Sequence, residues 1–292
     1  MCRANSAPAG ADLPPPPPHL EEKVRVVLGI LSGLESALVS YSGGVDSTLL
    51  AFLTRRVLGA QRMHAAIADS PTLPRHELAA ARETAAAFDI PCTAVPTHEL
   101  DDPDYARNPA ERCFFCKTNL FATFRETFAG RFSVLLCGTN ADDTGDWRPG
   151  LRAEENEGVR RPLLEAGLTK EDIRELSRLY GLPTWDQPAG ACLASRIPYG
   201  EEVTREKLAR VEAAEAVLRA EGFRLVRVRH LGEAARIEVG AEEHARLDNP
   251  GLRSRIVAGV AATGFDRVEI DPEPYRTGRL NDDLPSAAAE RE

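Results

Sequence analysis

The stretch Ser42-Gly43-Gly44-Val45-Asp46-Ser47 decides the fold. The apolar run Ala37-Leu38-Val39 precedes it, and the helical pattern of residues 48–53 follows it. A strand, a glycine turn and a helix in this order hold phosphate, because glycines let the backbone approach an anion that the helix N–H groups face. A Walker-type loop would need a Lys-Ser or Lys-Thr pair at the end of the turn, and that lysine is missing. An ordinary strand-to-helix turn is the alternative, which the agreement in order and spacing disfavours.

A loop of Ser, Gly, Gly, Asp and Ser resembles that of the ATP pyrophosphatase (PP-loop) enzymes. The resemblance implies that Ser42, Gly43, Gly44, Asp46 and Ser47 grip the β/γ-pyrophosphate of ATP. ATP then splits into AMP and pyrophosphate. The implied chemistry is adenylation of an oxygen, followed by displacement of AMP.

Length and charge exclude several classes of protein. A chain of 292 residues with 43% hydrophobic residues is expected to form two domains with a proper core. The net charge of −9 lacks the general basic footprint of a nucleic-acid-binding protein. No apolar run approaches the ~20 residues of a membrane span, and residues 1–18 lack the apolar segment of a secretory signal. We therefore expect a cytoplasmic protein with reduced cysteines and neither membrane nor nucleic-acid partners.

Alternating short strands and helices predict an α/β fold with a doubly wound parallel sheet over residues 20–187. The predicted strands are 38–41, 64–68, 92–95 and 134–137, and the predicted helices are 24–34, 49–58, 77–88, 116–128 and 169–180. The loops after the strands, including Ser70 and Gly138-Thr139, should converge where such sheets bind ligands.

A small α+β domain is predicted over residues 188–275, with helices at 204–220 and 250–263 and strands at 223–229, 235–239 and 267–270. Residues 1–19, with the proline run Pro14–Pro18, are predicted to be a disordered arm, and residues 276–292 a loose tail.

Three cysteines stand out by their surroundings. Cys113 and Cys116 form a C-x-x-C, which by itself fits a metal or cluster site, a redox pair or chance. Cys192 lies among small residues and is predicted to be in a loop. Three cysteines would leave open one position of a [4Fe–4S] cluster, which can hold a sulfide. Zinc would need a fourth ligand, and no histidine adjoins either group.

Arg227 and Arg229 lie two apart in a predicted strand, so their guanidiniums share one face and Val226 and Val228 the other. Two such groups suit a phosphate or a pair of carboxylates, to which Arg196 could add a third charge. A solvated edge strand is the alternative.

A carboxylate pair, Asp142 and Asp143, follows the fourth predicted strand. Together with Asp46 it suits Mg²⁺, which takes one or two carboxylates plus phosphate oxygens. An ordinary Asx turn is the alternative.

These motifs together resemble the LarE family, the ATP-dependent sacrificial sulfur transferases of nickel-pincer nucleotide biosynthesis. The resemblance runs from about Glu21 to Ile270, and its most specific motif is residues 192–200. Its other motifs are residues 42–47, 138–143, 148–150 and 161–170.

The resemblance implies that ATP adenylates a carboxylate of pyridinium-3,5-biscarboxylic acid mononucleotide and that sulfur then displaces AMP, once for each carboxylate. Cys192 is either a sacrificed cysteine or, with Cys113 and Cys116, a ligand of a [4Fe–4S] cluster, and the three-cysteine set favours the cluster. The resemblance also implies a homo-oligomer and further site residues: Ser195, Arg196 and Glu215 for catalysis, Arg227 and Arg229 for the substrate, and Ser70, Gly138 and Thr139 for ATP.

Three other functions remain open at this point. A transfer-RNA thiolase would share the loop and the cysteines, but should also show a basic RNA-binding surface. An amide-forming ligase of the NAD or GMP synthetase type would not need the cysteines. A nucleotide-binding sensor would bind ATP without releasing pyrophosphate.

Overall fold

The computed structural model of the chain describes residues 13–145, 149–188 and 190–279, which fold as two separately packed units. Of the described residues, those from 13 to 98 and those between 113 and 190 belong to the first unit, and residues 99–112 and 191–279 belong to the second. Residues 1–12 of the predicted arm, Arg148 and residues 280–292 of the predicted tail lie outside the described residues.

A parallel four-stranded sheet in the order β3-β2-β1-β4 organises the first unit. Its strands are β1 (Ala37–Ser40), β2 (Met63–Asp69), β3 (Cys92–Pro96) and β4 (Val134–Cys137). Ala37 stands opposite Met63 on one side and Val134 on the other, so β1 lies at the centre. The strands are short apolar runs because both faces of the sheet are covered. The predicted parallel sheet is confirmed.

Both units contain helices. None of the described helices combines the length and apolarity needed to cross a bilayer. In chain order they are α1 (Glu21–Ser32), α2 (Val45–Leu58), α3 (Arg75–Ala87), α4 (Pro103–Ala106), α5 (Arg112–Thr127), α6 (Pro149–Asn156), α7 (Pro162–Glu165), α8 (Lys170–Leu179), α9 (Arg205–Ala220), α10 (Ala241–His244) and α11 (Pro250–Ala261).

Two apolar cores, one on each face of the sheet, make the first unit doubly wound. The larger core joins buried residues of α1, α2, α3 and α8 to β1 and β2. The smaller core packs Phe121, Phe124 and Phe128 of α5 against Leu38 and Leu135. This arrangement leaves the carboxyl ends of the strands to the loops that follow them.

The second unit contains a three-stranded sheet in the order β5-β6-β7. Strands β5 (Val226–Leu231) and β6 (Ala234–Val239) are antiparallel, and β7 (Arg267–Ile270) runs parallel to β6. Helices α9 and α11 contribute to its core. Residues 99–112 also pack in this unit, where the Asn108 amide donates to the carbonyls of Ile197 (3.2 Å) and Pro198 (2.7 Å). The second domain was predicted to begin at residue 188, so the prediction did not assign residues 99–112 to it.

Candidate active site

The glycine loop leaves the end of β1 and leads into α2. The Ser42 N–H donates to Ser47 Oγ at 3.1 Å, and the two serine hydroxyls are 3.0 Å apart. Gly44 is the N-cap of α2, and no side chain caps this helix. The N–H groups and the positive dipole end of α2 are therefore presented to an anion.

Two glycines are required by close backbone contacts around this loop. Gly43 has a φ of +77°, and a Cβ atom there would lie 2.4 Å from the Ala81 Cβ. A Cβ atom on Gly138 would lie 2.8 Å from the Ser47 backbone nitrogen. The loop after β4 thus rests directly on the first turn of α2, as the predicted convergence of strand ends requires.

Asp46, on the first turn of α2, has two partners. Its carboxylate accepts a 3.2 Å hydrogen bond from the Asn140 amide and forms an ion pair with the Lys170 ammonium. Lys170 is the first residue of α8, which begins with a capping box between Thr169 and Asp172. The sequence predicted this helix start, but it did not predict that Lys170 forms an ion pair with Asp46.

The carboxylates predicted for Mg²⁺ also bind backbone. Asp142 accepts from the Lys170 N–H at 2.7 Å, and Asp143 accepts from the Asn140 N–H at 3.0 Å. The Asp143 bond lies within the turn after β4, and the Asp142 bond ties that turn to the start of α8. The Asn140 side chain, which belongs to the same turn, connects it to Asp46 through the 3.2 Å hydrogen bond given above.

Ser70 and Thr139 follow β2 and β4, the two strands that flank β1. The Ser70 hydroxyl lies 2.7 Å from that of Thr72, inside the turn that ends β2. The Thr139 hydroxyl donates to Glu154, whose side chain is fully buried on α6, with 2.9 Å to each carboxylate oxygen.

A buried network extends from Glu154. Its carboxylate also forms an ion pair with Lys117 and accepts from the Cys137 thiol at 3.3 Å. Burial lowers the pKa of Lys117, but Cys137 and Glu154 raise that pKa by more, so the ammonium is stabilised. Burial raises the pKa of the Cys137 thiol to about 11, which keeps it protonated at neutral pH. Sequence reasoning missed Lys117 and Glu154; the position of Lys117 directly after the C-x-x-C was the available signal.

Helix α5 begins at Arg112, four residues before the predicted start, so the whole C-x-x-C lies in its first five residues. Cys113 is exposed and Cys116 partly exposed, and a spacing of three places them on one face of the helix. Cys192, in the second unit, is partly exposed and precedes a short 3₁₀ helix, Leu193–Arg196. Among the described residues, no three His, Cys, Asp or Glu side chains are grouped as metal ligands, so the three-cysteine cluster stays a prediction.

A fully buried ion pair supports the Cys192 loop. Arg196 and Glu215 are both 0% exposed, and the Arg196 Nε lies 2.7 Å from the Glu215 carboxylate. The same guanidinium donates to the carbonyls of Ala191 (2.6 Å) and Cys192 (2.9 Å). The Arg196 guanidinium therefore holds the cysteine loop in place, and the catalytic role expected for Arg196 and Glu215 stays a prediction.

Glu215 is held ionised by its surroundings. Burial raises its pKa, but the guanidiniums of Arg196, Arg219 and Arg227 lower it by more, so the pKa lies below its usual range. The carboxylate also accepts from the Val228 N–H at 3.2 Å, which ties α9 to β5.

Arg227 and Arg229 share one face of β5, as alternation predicts, but this face is not a solvated edge. Arg227 is 5% exposed, and the Arg229 guanidinium donates to the Ser195 carbonyl (2.9 Å) and to Glu238 (2.7 Å). The Tyr275 ring lies against both guanidiniums. Glu238 and Tyr275 were missed from the sequence. Ser195 joins this face to the cysteine loop, since its hydroxyl donates to the Cys192 carbonyl at 2.8 Å.

Comparisons of the sequence with known proteins identify relatives of this chain. Residues 20–144 match the sequence model of the NAD synthase family. The chain is 41% identical to an uncharacterised Synechocystis protein, covering 90% of this chain and 98% of that protein. It is 27% identical to an uncharacterised Methanocaldococcus jannaschii protein, covering 82% of this chain and 90% of that one.

A relative with a stated activity decides the family. The chain is 32% identical to the pyridinium-3,5-bisthiocarboxylic acid mononucleotide synthase of Lactiplantibacillus plantarum, over 92% of this chain and 97% of that enzyme. The match includes both the glycine loop and the loop that carries Cys192. The chain therefore belongs to the family of this synthase, the LarE family.

Proposed function

We propose that the chain is an ATP-dependent sulfur transferase that converts the two carboxylates of pyridinium-3,5-biscarboxylic acid mononucleotide into thiocarboxylates. The similarity to the Lactiplantibacillus plantarum synthase over 92% of the chain carries this proposal. The uncapped α2 helix start beside the Asp46–Lys170 ion pair supports an ATP-dependent reaction.

The first half-reaction is adenylation. A substrate carboxylate oxygen attacks the α-phosphorus of ATP, an acyl-adenylate forms, and pyrophosphate leaves. The N–H groups of α2 and the Lys170 ammonium would bind the leaving pyrophosphate, whose negative charge they complement. Mg²⁺, when bound, would neutralise phosphate charge, and Asp46, with Asp142 or Asp143, would supply the oxygen ligands that it prefers.

The second half-reaction is sulfur transfer. A sulfur nucleophile attacks the acyl carbon, and AMP leaves with the electrons of the carbon–oxygen bond. In the sacrificial route the nucleophile is the Cys192 thiolate; loss of the Cys192 Cα proton then breaks its Cβ–S bond, leaving a thiocarboxylate and dehydroalanine. Arg196 would keep Cys192 in place through its bonds to the Ala191 and Cys192 carbonyls.

The cluster route uses the same cysteine as a ligand. Cys113, Cys116 and Cys192 would hold a [4Fe–4S] cluster, which when bound would supply the sulfide for transfer. Iron and sulfide analysis of anaerobically purified protein, repeated on Cys113→Ala, separates the routes. Iron and sulfide that are lost in the variant support the cluster, whereas iron-free protein that still transfers sulfur supports the sacrificial route.

The amide-forming ligase is the second candidate, because the NAD synthase family matches residues 20–144. Such a ligase uses the same adenylation step, with ammonia as the nucleophile. We would measure AMP formation with the biscarboxylate mononucleotide alone and with nicotinic acid adenine dinucleotide plus ammonia. Sulfur transfer predicts AMP only with the first substrate and loss of product in Cys192→Ala. AMP only with the second, unaffected by Cys192→Ala, would refute the proposal.

A further inference from the structure

Residues 271–279, which follow β7, form a segment that we call the strap. Its backbone is attached to β6, because the Asp271 N–H donates to the Ile237 carbonyl (2.9 Å) and the Tyr275 N–H to the Val239 carbonyl (2.9 Å). Asp271 is 3% exposed and accepts from the Glu273 N–H at 2.9 Å. The strap is therefore an ordered part of the second unit.

An ion pair closes the strap on itself. The Arg279 guanidinium lies 2.9 Å from the Asp271 carboxylate and 3.8 Å from that of Glu238. Because Glu238 also pairs with Arg229, the end of the strap is connected to the arginine face of β5.

Tyr275 places its ring between these two attachments. Its centroid lies 5.1 Å from the Arg227 Cζ and 6.0 Å from the Arg229 Cζ. An aromatic ring attracts a guanidinium through the flat face of the cation, which leaves the N–H edge of the cation for hydrogen bonds. The Tyr275 ring therefore contacts both guanidiniums without forming a hydrogen bond to them, while the Arg227 guanidinium donates to the Val226 carbonyl at 2.8 Å.

Buried carboxylates and several guanidiniums surround this face. Among the described residues around this face, three carboxylates are almost fully buried: Glu215, Glu238 and Asp271. The guanidiniums that pair with them or lie near them are those of Arg196, Arg219, Arg227, Arg229 and Arg279. Two guanidinium forks on one face of a strand suit a phosphate.

We propose that the strap, acting through Tyr275, is a positioning device that holds Arg227 and Arg229 in the orientation that binds the phosphate of the nucleotide substrate. The assignment of that substrate rests on the proposed function. Tyr275 is a positioning residue, since it acts through the two arginines.

The kinetic test compares Tyr275→Leu with Tyr275→Phe. Phe keeps the ring and Leu keeps only apolar bulk, so the Leu variant should raise the KM for the biscarboxylate mononucleotide roughly tenfold while Phe restores it. The KM for ATP and the kcat should stay unchanged in both variants. Equal KM values in wild type, Phe and Leu variants, or equal increases in the two KM values of the Leu variant, would overturn the proposal.

A second variant and a second probe keep the test independent of turnover. Arg279→Gln opens the ion pair of the strap without altering Tyr275, and should also raise the KM for the nucleotide, even if the Leu variant fails to fold. Calorimetric titration with inorganic phosphate should show roughly tenfold weaker binding in Tyr275→Leu than in wild type and Tyr275→Phe. Phosphate binding that follows this order without any nucleotide turnover refutes the proposed function alone. Phosphate that binds all three proteins equally, or binds none of them, refutes the role of the strap.

Discussion

Replacing Glu215 by Gln should strongly destabilise the second unit. The substitution keeps the shape of the side chain but leaves the 0% exposed Arg196 guanidinium without a counter-charge. Breaking one side of a buried ion pair costs about 3–5 kcal/mol, because the remaining charge stays out of water. This is a large part of the roughly 5–15 kcal/mol that stabilises a domain.

Amide hydrogen exchange measures this loss within the second unit. Protection of the α9 and β5 amides should fall by a factor of about 100 or more in Glu215→Gln, since each 1.4 kcal/mol corresponds to about tenfold. Glu269→Gln is the matched control: its pair with Arg236 spans 3.7 Å, and both side chains are 42% exposed. Exposed pairs contribute about 0–1 kcal/mol, so protection there should change less than about fivefold.

Two further results follow from the same pair. Adding Arg196→Met to Glu215→Gln removes the unpaired buried charge, so protection of the α9 and β5 amides should recover in part. Product formation should stay low, because the Cys192 loop has lost the hydrogen-bond donors of Arg196.

The pKa of Glu215 is lowered from its ordinary 4.5. Its contribution to the stability of the second unit is therefore complete above pH 4.5 and is lost as pH falls through the lower pKa of the folded state. Equal protection in Glu215→Gln and Glu269→Gln at pH 7 would refute the reasoning.

Three other substitutions test the remaining structure. Gly138→Ala should greatly weaken ATP binding in a calorimetric titration, because its Cβ atom would lie 2.8 Å from the Ser47 nitrogen; Gly29→Ala, with no atom within 4 Å, should leave binding unchanged. Lys170→Gln should raise the KM for ATP about tenfold through loss of a charge-assisted contact, and an unchanged KM would exclude Lys170 from phosphate binding. Burial, with help from Lys207 and Arg210, lowers the pKa of His230 below its ordinary 6.5, so wild type should lose stability relative to His230→Phe below pH 6.5; parallel thermal-unfolding profiles would contradict this.

The sequence predicted the sheet of the first unit because its strands are continuous apolar runs between turns. The predicted strand 134–137 and the observed β4 have the same bounds, and α2 begins within the glycine loop itself. Helix α6 was not predicted, since it is short and polar and its buried residues are Gly150, Ala153 and Glu154. A glutamate is expected at the surface unless a partner is known, and Lys117 lies 37 positions away in the chain.

In the second unit too, contacts between residues that are far apart in the chain could not be predicted from the sequence. Alternation correctly assigned Arg227 and Arg229 to one face of β5, because it depends only on neighbouring residues. The contacts with Tyr275 and Glu238 depend on how distant segments pack. The burial of Glu215 could not be read from the charged pattern of α9, since its partner Arg196 belongs to a separate loop.

Mass spectrometry of the reaction product tests the central claim most directly. The protein would be incubated with ATP, Mg²⁺ and pyridinium-3,5-biscarboxylic acid mononucleotide, with Cys192→Ala as the control. The account predicts a nucleotide in which sulfur replaces one carboxylate oxygen, formed together with AMP and absent from the control. AMP with an unchanged nucleotide, or a modified nucleotide that the Cys192→Ala protein forms equally well, would contradict it.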